Sequence, residues 1–382
     1  MGKIHGIIAS LLVSLPLFEA QSWRVFEAPT ATRLNGVSFP HGSASEVDSG
    51  EGWVVGGENT ILHTMDKGNS WDIQNSPLDS SAELRSVSFW NATLGWAAGN
   101  GGDLLITEDG GTTWARQNPG TGDNIFVIQA TSATVVYAAG ANGLFLKTTN
   151  AGATWNTLST TTQYTFYCMD FVNETFGWIA GMYGMIFHTN TGGASLELQE
   201  TIPGSTHDIH GLKIIEVNAT TYSGWVVGDS GLWAYTEDGG HTWNEQEGCG
   251  SEYDLDALVV RKPEEANVFP TVAYAVGQAH EAICFTIDQG EIFTVENMVS
   301  AGYPLFAAAW MDEAGLELIA VGDFGEVITY SGSPPPPPRH LLLPHLHHLK
   351  SSSPSPFTTP TATSPTAAFT TSPTPPLPAS SE

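Results

Sequence analysis

Between residues 23 and 332 the apolar positions fall in short runs broken by turn residues, and none reaches helical length. One set of runs reads LNGVSF, LRSVSFW, IFVIQA, TFYCMDF, IHGLKIIEV, LDALVV and LFAAAW. Each is followed by a run of small and apolar residues that closes on glycine: GWVVGG (52–57), GWAAGN (95–100), VYAAGA (136–141), GWIAGM (177–182), GWVVGD (224–229), AYAVGQ (273–278) and LIAVGD (318–323). After six of these comes a polar motif, T-x-D-x-G-x-T-W. It is clear in TMDKGNSW (64–71), TEDGGTTW (107–114), TTNAGATW (148–155) and TEDGGHTW (236–243), and decayed in TNTGGASL (189–196) and TIDQGEIF (286–293). Its third position falls at Asp66, Asp109, Asn150, Thr191, Asp238 and Asp288, giving spacings of 43, 41, 41, 47 and 50 residues.

A repeat of about 40 residues with three or four short strands per unit is the signature of a β-propeller. The seven glycine-closed runs predict an all-β, seven-bladed propeller over residues 23–332. Blade seven supplies LFAAAW, LIAVGD and EVITYSG but no fourth strand, whereas SWRVFEAP (22–29) is a fourth strand without a blade. Pairing the two closes the ring and removes an open edge, with Trp23 in the place of Trp71 and Trp114. The polar motif belongs to the turn between strands three and four. A carboxylate there accepts backbone N–H groups, glycine permits positive φ, and the tryptophan plugs between strands. Asp66, Trp71, Asp109, Trp114, Asn150, Trp155, Asp238, Trp243 and Asp288 are therefore assigned to the fold and not to catalysis.

The two ends read differently. Residues 1–22 carry one lysine and an apolar run from Ile7 to Phe18, too short to span a bilayer, which fits a secretory signal cleaved after Ala20 or Ser22. Residues 333–382 hold 14 of the 23 prolines and predict a disordered Pro/Ser/Thr-rich tail that buries no core. His340, His345, His347 and His348 lie in that tail, with no spacing that implies a metal site.

Net charge is −28, from 12 Lys and Arg against 40 Asp and Glu, which disfavours nucleic acid and anionic lipid and suits a cationic partner. Cys168, Cys249 and Cys284 leave at least one thiol over, and a Cys249–Cys284 bridge requires their segments to pack together. No metal or cofactor motif occurs, and a monomer is expected.

Three sequons, at Asn91, Asn173 and Asn218, share one point of the repeat, between strands one and two. N-glycans there would lie on the end that carries the Asp motifs. The opposite end, built from strand two–three turns and blade connections, stays clear. A partner-binding face is therefore expected at Glu58, Asn100, Asp103, Asn142, Tyr183, Asp229 and Asp323, with Arg85, His207, Asp208 and His210 on or beside the connections. Arg85 is the single arginine this topology places there.

The units GWAAGNGGDLLITEDGGTTW (95–114) and GWVVGDSGLWAYTEDGGHTW (224–243) resemble the photosystem II stability and assembly factor family, over roughly residues 23–332. The resemblance implies a seven-bladed propeller that acts without catalysis in the thylakoid lumen, holding a reaction-centre subunit through an arginine-rich surface. This propeller has five arginines (24, 33, 85, 116 and 261), and its leader has no transit segment. The reading is a secreted, glycosylated, non-enzymatic binding scaffold. Its alternatives are a lumenal photosystem II assembly factor, and an extracellular glycan-binding protein or glycoside hydrolase. Sialidases, which share such Asp motifs, need three convergent arginines and a Tyr nucleophile. Two-propeller glucanases need paired carboxylates across an aromatic cleft.

Overall fold

A computed structural model describes residues 22–40, 50–199, 202, 206–251, 254–263, 268–269, 272–278, 282–290, 293–297, 303–312 and 314–332. The leader, its cleavage site, the tail and the tail histidines lie outside the described residues. Seven four-stranded antiparallel sheets make up the fold. The first strands are Leu34–Ser38, Leu84–Phe89, Ile125–Ala130, Phe166–Phe171, Ile209–Asn218, Leu255–Val260 and Leu305–Trp310, and each packs beside the next, with the last against the first. The second strands carry the glycine-closed runs and are buried almost throughout.

The closing strand is where the repeat places it. Ser22–Glu27 pairs antiparallel with Glu326–Ser331, Trp23 opposite Tyr330 and Arg24 opposite Thr329. In blade one His63 pairs with Asp72, so Trp23, one residue before Arg24, holds the register of Trp71. Its ring packs on Tyr330, 4.6 Å between centroids.

Innermost strands have one unpaired edge, and neighbouring blades satisfy much of it. Ser38 Oγ accepts the Phe89 N–H at 3.1 Å, Ser88 Oγ accepts Ala130 N–H at 3.0 Å, and Gln129 Oε1 accepts Phe171 N–H at 2.8 Å. Asp170, 4 % exposed, accepts the Ile214 N–H at 2.7 Å and the Lys213 ammonium at 2.8 Å. Aromatic residues of strand two reach across as well: Trp53 Nε1 donates to Gly110 O and Trp178 Nε1 to Gly239 O.

The Asp-motif turns form as compact hydrogen-bonded units. Asp109 accepts the Thr113 N–H at 2.8 Å and hydroxyl at 2.7 Å, while Thr107 Oγ1 donates to Asp109 and accepts the Gly111 N–H. Those Thr113 bonds hold the Asp109 carboxyl below its usual range. Asp66 and Asp238 repeat the arrangement, Asn150 reproduces it through its amide, and Thr191 and Asp288 keep part of it. One expectation changes. The tryptophans plug between blades, not between strands of one blade: Trp114 Nε1 donates to Gln74 and Trp155 Nε1 to Gln117, each in the preceding blade.

The sequons acquire a second meaning. Asn91 Oδ1 accepts the N–H of Thr93 and Leu94, Asn173 those of Thr175 and Phe176, and Asn218 that of Thr220. Ser132 and Asp312 do the same for the turns of blades three and seven. In these five described turns an acceptor oxygen stands at this point, so turn chemistry also favours the shared position. These turns do lie at the Asp-motif end, since Gly110 N–H donates to Thr93 O at 2.9 Å.

Cys249 and Cys284 form a disulfide that ties the end of blade five to strand three of blade six. Cys168 is free and buried, and burial pushes its thiol pKa well up.

Candidate functional site: the mouth of the channel

The glycine that closes each second strand has a steric cause. A Cβ on Gly99 would stand 2.2 Å from the Glu83 carbonyl oxygen, and on Gly322 2.0 Å from that of Pro304. The chain entering strand one is pressed against strand two at this point, and pairing slips by one residue. Leu84 pairs with Gly99 and Ser86 with Ala98, leaving Arg85 unpaired. The same bulge occurs in every blade, freeing Asn35, Phe126, Tyr167, His210, Asp256 and Phe306 in turn. Bulges re-aim side chains at rims. Here all seven freed residues line one cavity of about 410 Å³, joined by Arg33. It opens at the end made by strand two–three turns, opposite the Asp motifs, because each bulge faces the last residues of strand two.

The lining has distinct sectors. Arg33 lies over the Phe306 ring at 3.4 Å, and Arg85 over Phe126 at 5.8 Å. Arg85 Nε donates to Asn100 Oδ1 at 3.2 Å, and its Nη2 stands 3.2 Å from Glu83. Burial first, then the Arg33 charge, lower the Arg85 pKa, with Glu83 opposing. Tyr167 packs between Phe126 and His210, 5.7 and 4.9 Å between centroids. Burial, followed by Asp208, raises its phenol pKa. His210 Nε2 is 2.8 Å from Asp229 Oδ1.

Asp256 is the carboxyl of the cavity whose pKa is shifted. Burial pushes its pKa up to about 6, against the lowering pull of His210, Gln278 and Arg33, while Asp254 adds to the rise. The folded pKa exceeds the unfolded value near 3.9, so folding favours the protonated acid. That contribution is complete below the unfolded pKa and is lost as pH rises through about 6. Asp256→Asn is therefore expected to stabilise the protein at pH 8 by on the order of 2 kcal/mol, and to change little at pH 4. Urea unfolding at both pH values measures this; a difference independent of pH would contradict it.

The residues expected on the clear face divide into three groups. Arg85 lines the mouth itself. Asn100, Asp229 and Asp208 steady mouth residues or turns, Asp208 accepting the Tyr183 N–H at 2.9 Å. The others sit on the rim: Asp103 pairs with Arg116 at 2.6 Å, Asn142 donates to Asp123, and Tyr183 packs edge-on against Tyr164. Glu58 and His207 are exposed and Asp323 is half-buried in a turn. Arg85 is not the single arginine at this end, because Arg33, directly before strand one of blade one, joins it. Asn35, Phe126, Tyr167, Asp256 and Phe306 were not anticipated. Their common signal is position, the second residue of each first strand, since aromatic, amide and acidic side chains share no motif.

Among the described residues no group of three or more His, Cys, Asp or Glu is arranged to hold a metal ion, and no helix is long and apolar enough to cross a membrane.

The model of the family described as "Photosynthesis system II assembly factor YCF48" matches residues 15–162 and 147–248. No curated protein sequence matches. Of the solved structures, "YCF48 bound to D1 peptide" superposes with a TM-score of 0.64 at 18% identity, covering 81% of this chain and 97% of that one. "YCF48 from Cyanidioschyzon merolae" gives 0.65 at 16% identity, covering 81% and 98%. At such identities these structures speak for the fold, and the family model, spanning more than half the sequence, for descent. The chain belongs to the photosystem II assembly factor YCF48 family.

Proposed function

We propose that this propeller is a non-enzymatic scaffold that seats a segment of a protein partner across the mouth of its channel. The observation that carries the reading is the ring of seven bulges, which gathers Arg85, Phe126, Tyr167, His210 and Asp256 from separate blades into one cavity. Aromatic and arginine side chains in a concave site are the usual anchors of protein recognition. The structure titled "YCF48 bound to D1 peptide" supports the reading by shared fold. Cys168 at the mouth is a buried thiol with raised pKa and is not an activated nucleophile, which weighs against a cysteine-based catalytic reading.

The test is capture of partners from source cells by the full chain and by a Phe126→Asp, Tyr167→Ala variant. At least a tenfold drop in the captured partner is expected, about 1.4 kcal/mol. Unchanged capture would move the site elsewhere.

Export belongs to the same proposal. The disulfide supports an oxidising compartment, and Asn91, Asn173 and Asn218 would carry N-glycans there. Cell fractionation with N-glycan removal decides between the extracellular reading, which predicts a mobility shift, and the lumenal reading, which predicts none.

A further inference from the structure

Two charged groups in the mouth, Arg33 and Asp256, leave each other unpaired. Arg33 has no carboxylate within 4 Å among the described residues, although its guanidinium is flattened on Phe306 and its edge faces the cavity. Asp256 lines the same cavity, and its Oδ2 has no hydrogen-bond donor among the described residues. Asp256 feels the Arg33 charge, yet the two form no ion pair. Their neighbours compensate only in part, Gln278 lying beside the Asp256 carboxyl as a donor. Arg85 adds a second positive charge beside Arg33 and is only partly offset by Glu83. On the other side, His210 is already engaged by Asp229, and Asp254 is spent on the Ser230 N–H at 2.8 Å. An exposed arginine and a half-buried acid share one cavity without pairing, and a ligand that bridges them would supply the donor the buried acid lacks. In a chain of net charge −28 with 12 basic residues, two arginines at one cavity are a concentrated use of a scarce residue type.

We propose that the mouth selects a peptide segment carrying an acidic and a basic side chain close together, the acid on Arg33 and Arg85 and the base on Asp256. This rests on the reading of the mouth as a partner site, and adds which segments it prefers. The aromatic rings of Phe126, Tyr167 and Phe306 would pack on the backbone between the two charges, and the fixed order of Arg33 and Asp256 around the ring would set its direction. Rejection follows from the same charges: a doubly acidic segment meets Asp256, and a doubly basic one meets Arg33 and Arg85.

The experiment is isothermal titration of the full chain at pH 7.5 with four terminally blocked heptapeptides. They share one tyrosine and differ at two positions: Asp and Lys, two Asp, two Lys, or two Ser. The Asp–Lys peptide is expected to bind at least tenfold more tightly than any other. Arg33→Gln should remove the contribution of Asp, and Asp256→Asn that of Lys, each reducing the advantage several-fold. Equal binding of the Asp–Lys peptide and the better single-sign peptide overturns the proposal, as does an advantage that survives both substitutions. If all four bind alike and Phe126→Asp weakens all of them, the mouth remains a peptide site and the charge selection falls. If none binds while partner capture still depends on Phe126 and Tyr167, the selection again falls alone. If capture is also independent of them, both readings fall.

Discussion

Removal of residues 22–29 is expected to lower the thermal midpoint of the propeller by about 10 °C or more, or to abolish cooperative folding. The deletion strips six residues of antiparallel pairing from Glu326–Ser331 and uncovers the face of Tyr330 on which Trp23 lies. A half-buried tryptophan contributes about 2–3 kcal/mol through apolar burial. The lost strand hydrogen bonds add about 1 kcal/mol each. A total of at least about 5 kcal/mol is comparable with the whole stability of many domains, and for a domain of this size each kcal/mol moves the midpoint by about 2 °C. The deletion also leaves an open strand edge, so association should rise with concentration. Circular dichroism melting with size-exclusion chromatography measures both. A midpoint within 2 °C of the intact protein would mean that the ring holds without its closing strand.

Asp170→Ala comes next in size. The carboxylate is buried and joins three blades: it accepts the Ile214 N–H at 2.7 Å, the Lys213 ammonium at 2.8 Å and the Gln129 amide at 3.3 Å. Alanine leaves the Ile214 N–H without its acceptor and a half-exposed ammonium without its partner, while the Gln129 amide keeps its bond to Phe171 O at 3.2 Å. Breaking a buried pair from one side costs about 3–5 kcal/mol, and because Lys213 is 39% exposed and can turn to water, about 3 kcal/mol is expected. Asp170→Asn keeps one acceptor oxygen and should cost less than half of that. Urea unfolding orders the three proteins; equal stability of the alanine variant and wild type would show that the inter-blade bonds contribute nothing net.

The fold was legible because its strongest signals are local and repeated. The glycine-closed runs gave the blade count, the Asp motifs gave the turns, and the orphan SWRVFEAP gave the closure, as the register of Trp23 shows. The end that carries the mouth could also be deduced, from which turns share which end. Its residues could not. A bulge is produced by the approach of one carbonyl to one glycine across the blade, and nothing in the sequence of strand one marks it. Arg85, Phe126 and Asp256 have no chemistry in common, so no motif links them. Arg33 was missed for a related reason: it precedes its strand, and only stacking on Phe306 of the neighbouring blade brings it to the mouth. The sequons have a second reading that the sequence did not show: Ser132 and Asp312 hold the turns of their own blades with acceptor oxygens, as the sequon asparagines do.

The pairing of Ser22–Glu27 with Glu326–Ser331 also sets an order in time. Of the described strands, the one made earliest pairs with the one made last. At about 5–20 residues per second, it waits roughly 15–60 s for that partner. Blades one to six have all their strands long before blade seven does, so the nascent chain carries an unclosed arc with two raw ends throughout its synthesis. Closure must wait until Glu326–Ser331 has emerged, and a chaperone or membrane channel that releases the chain before then meets the arc, never the ring.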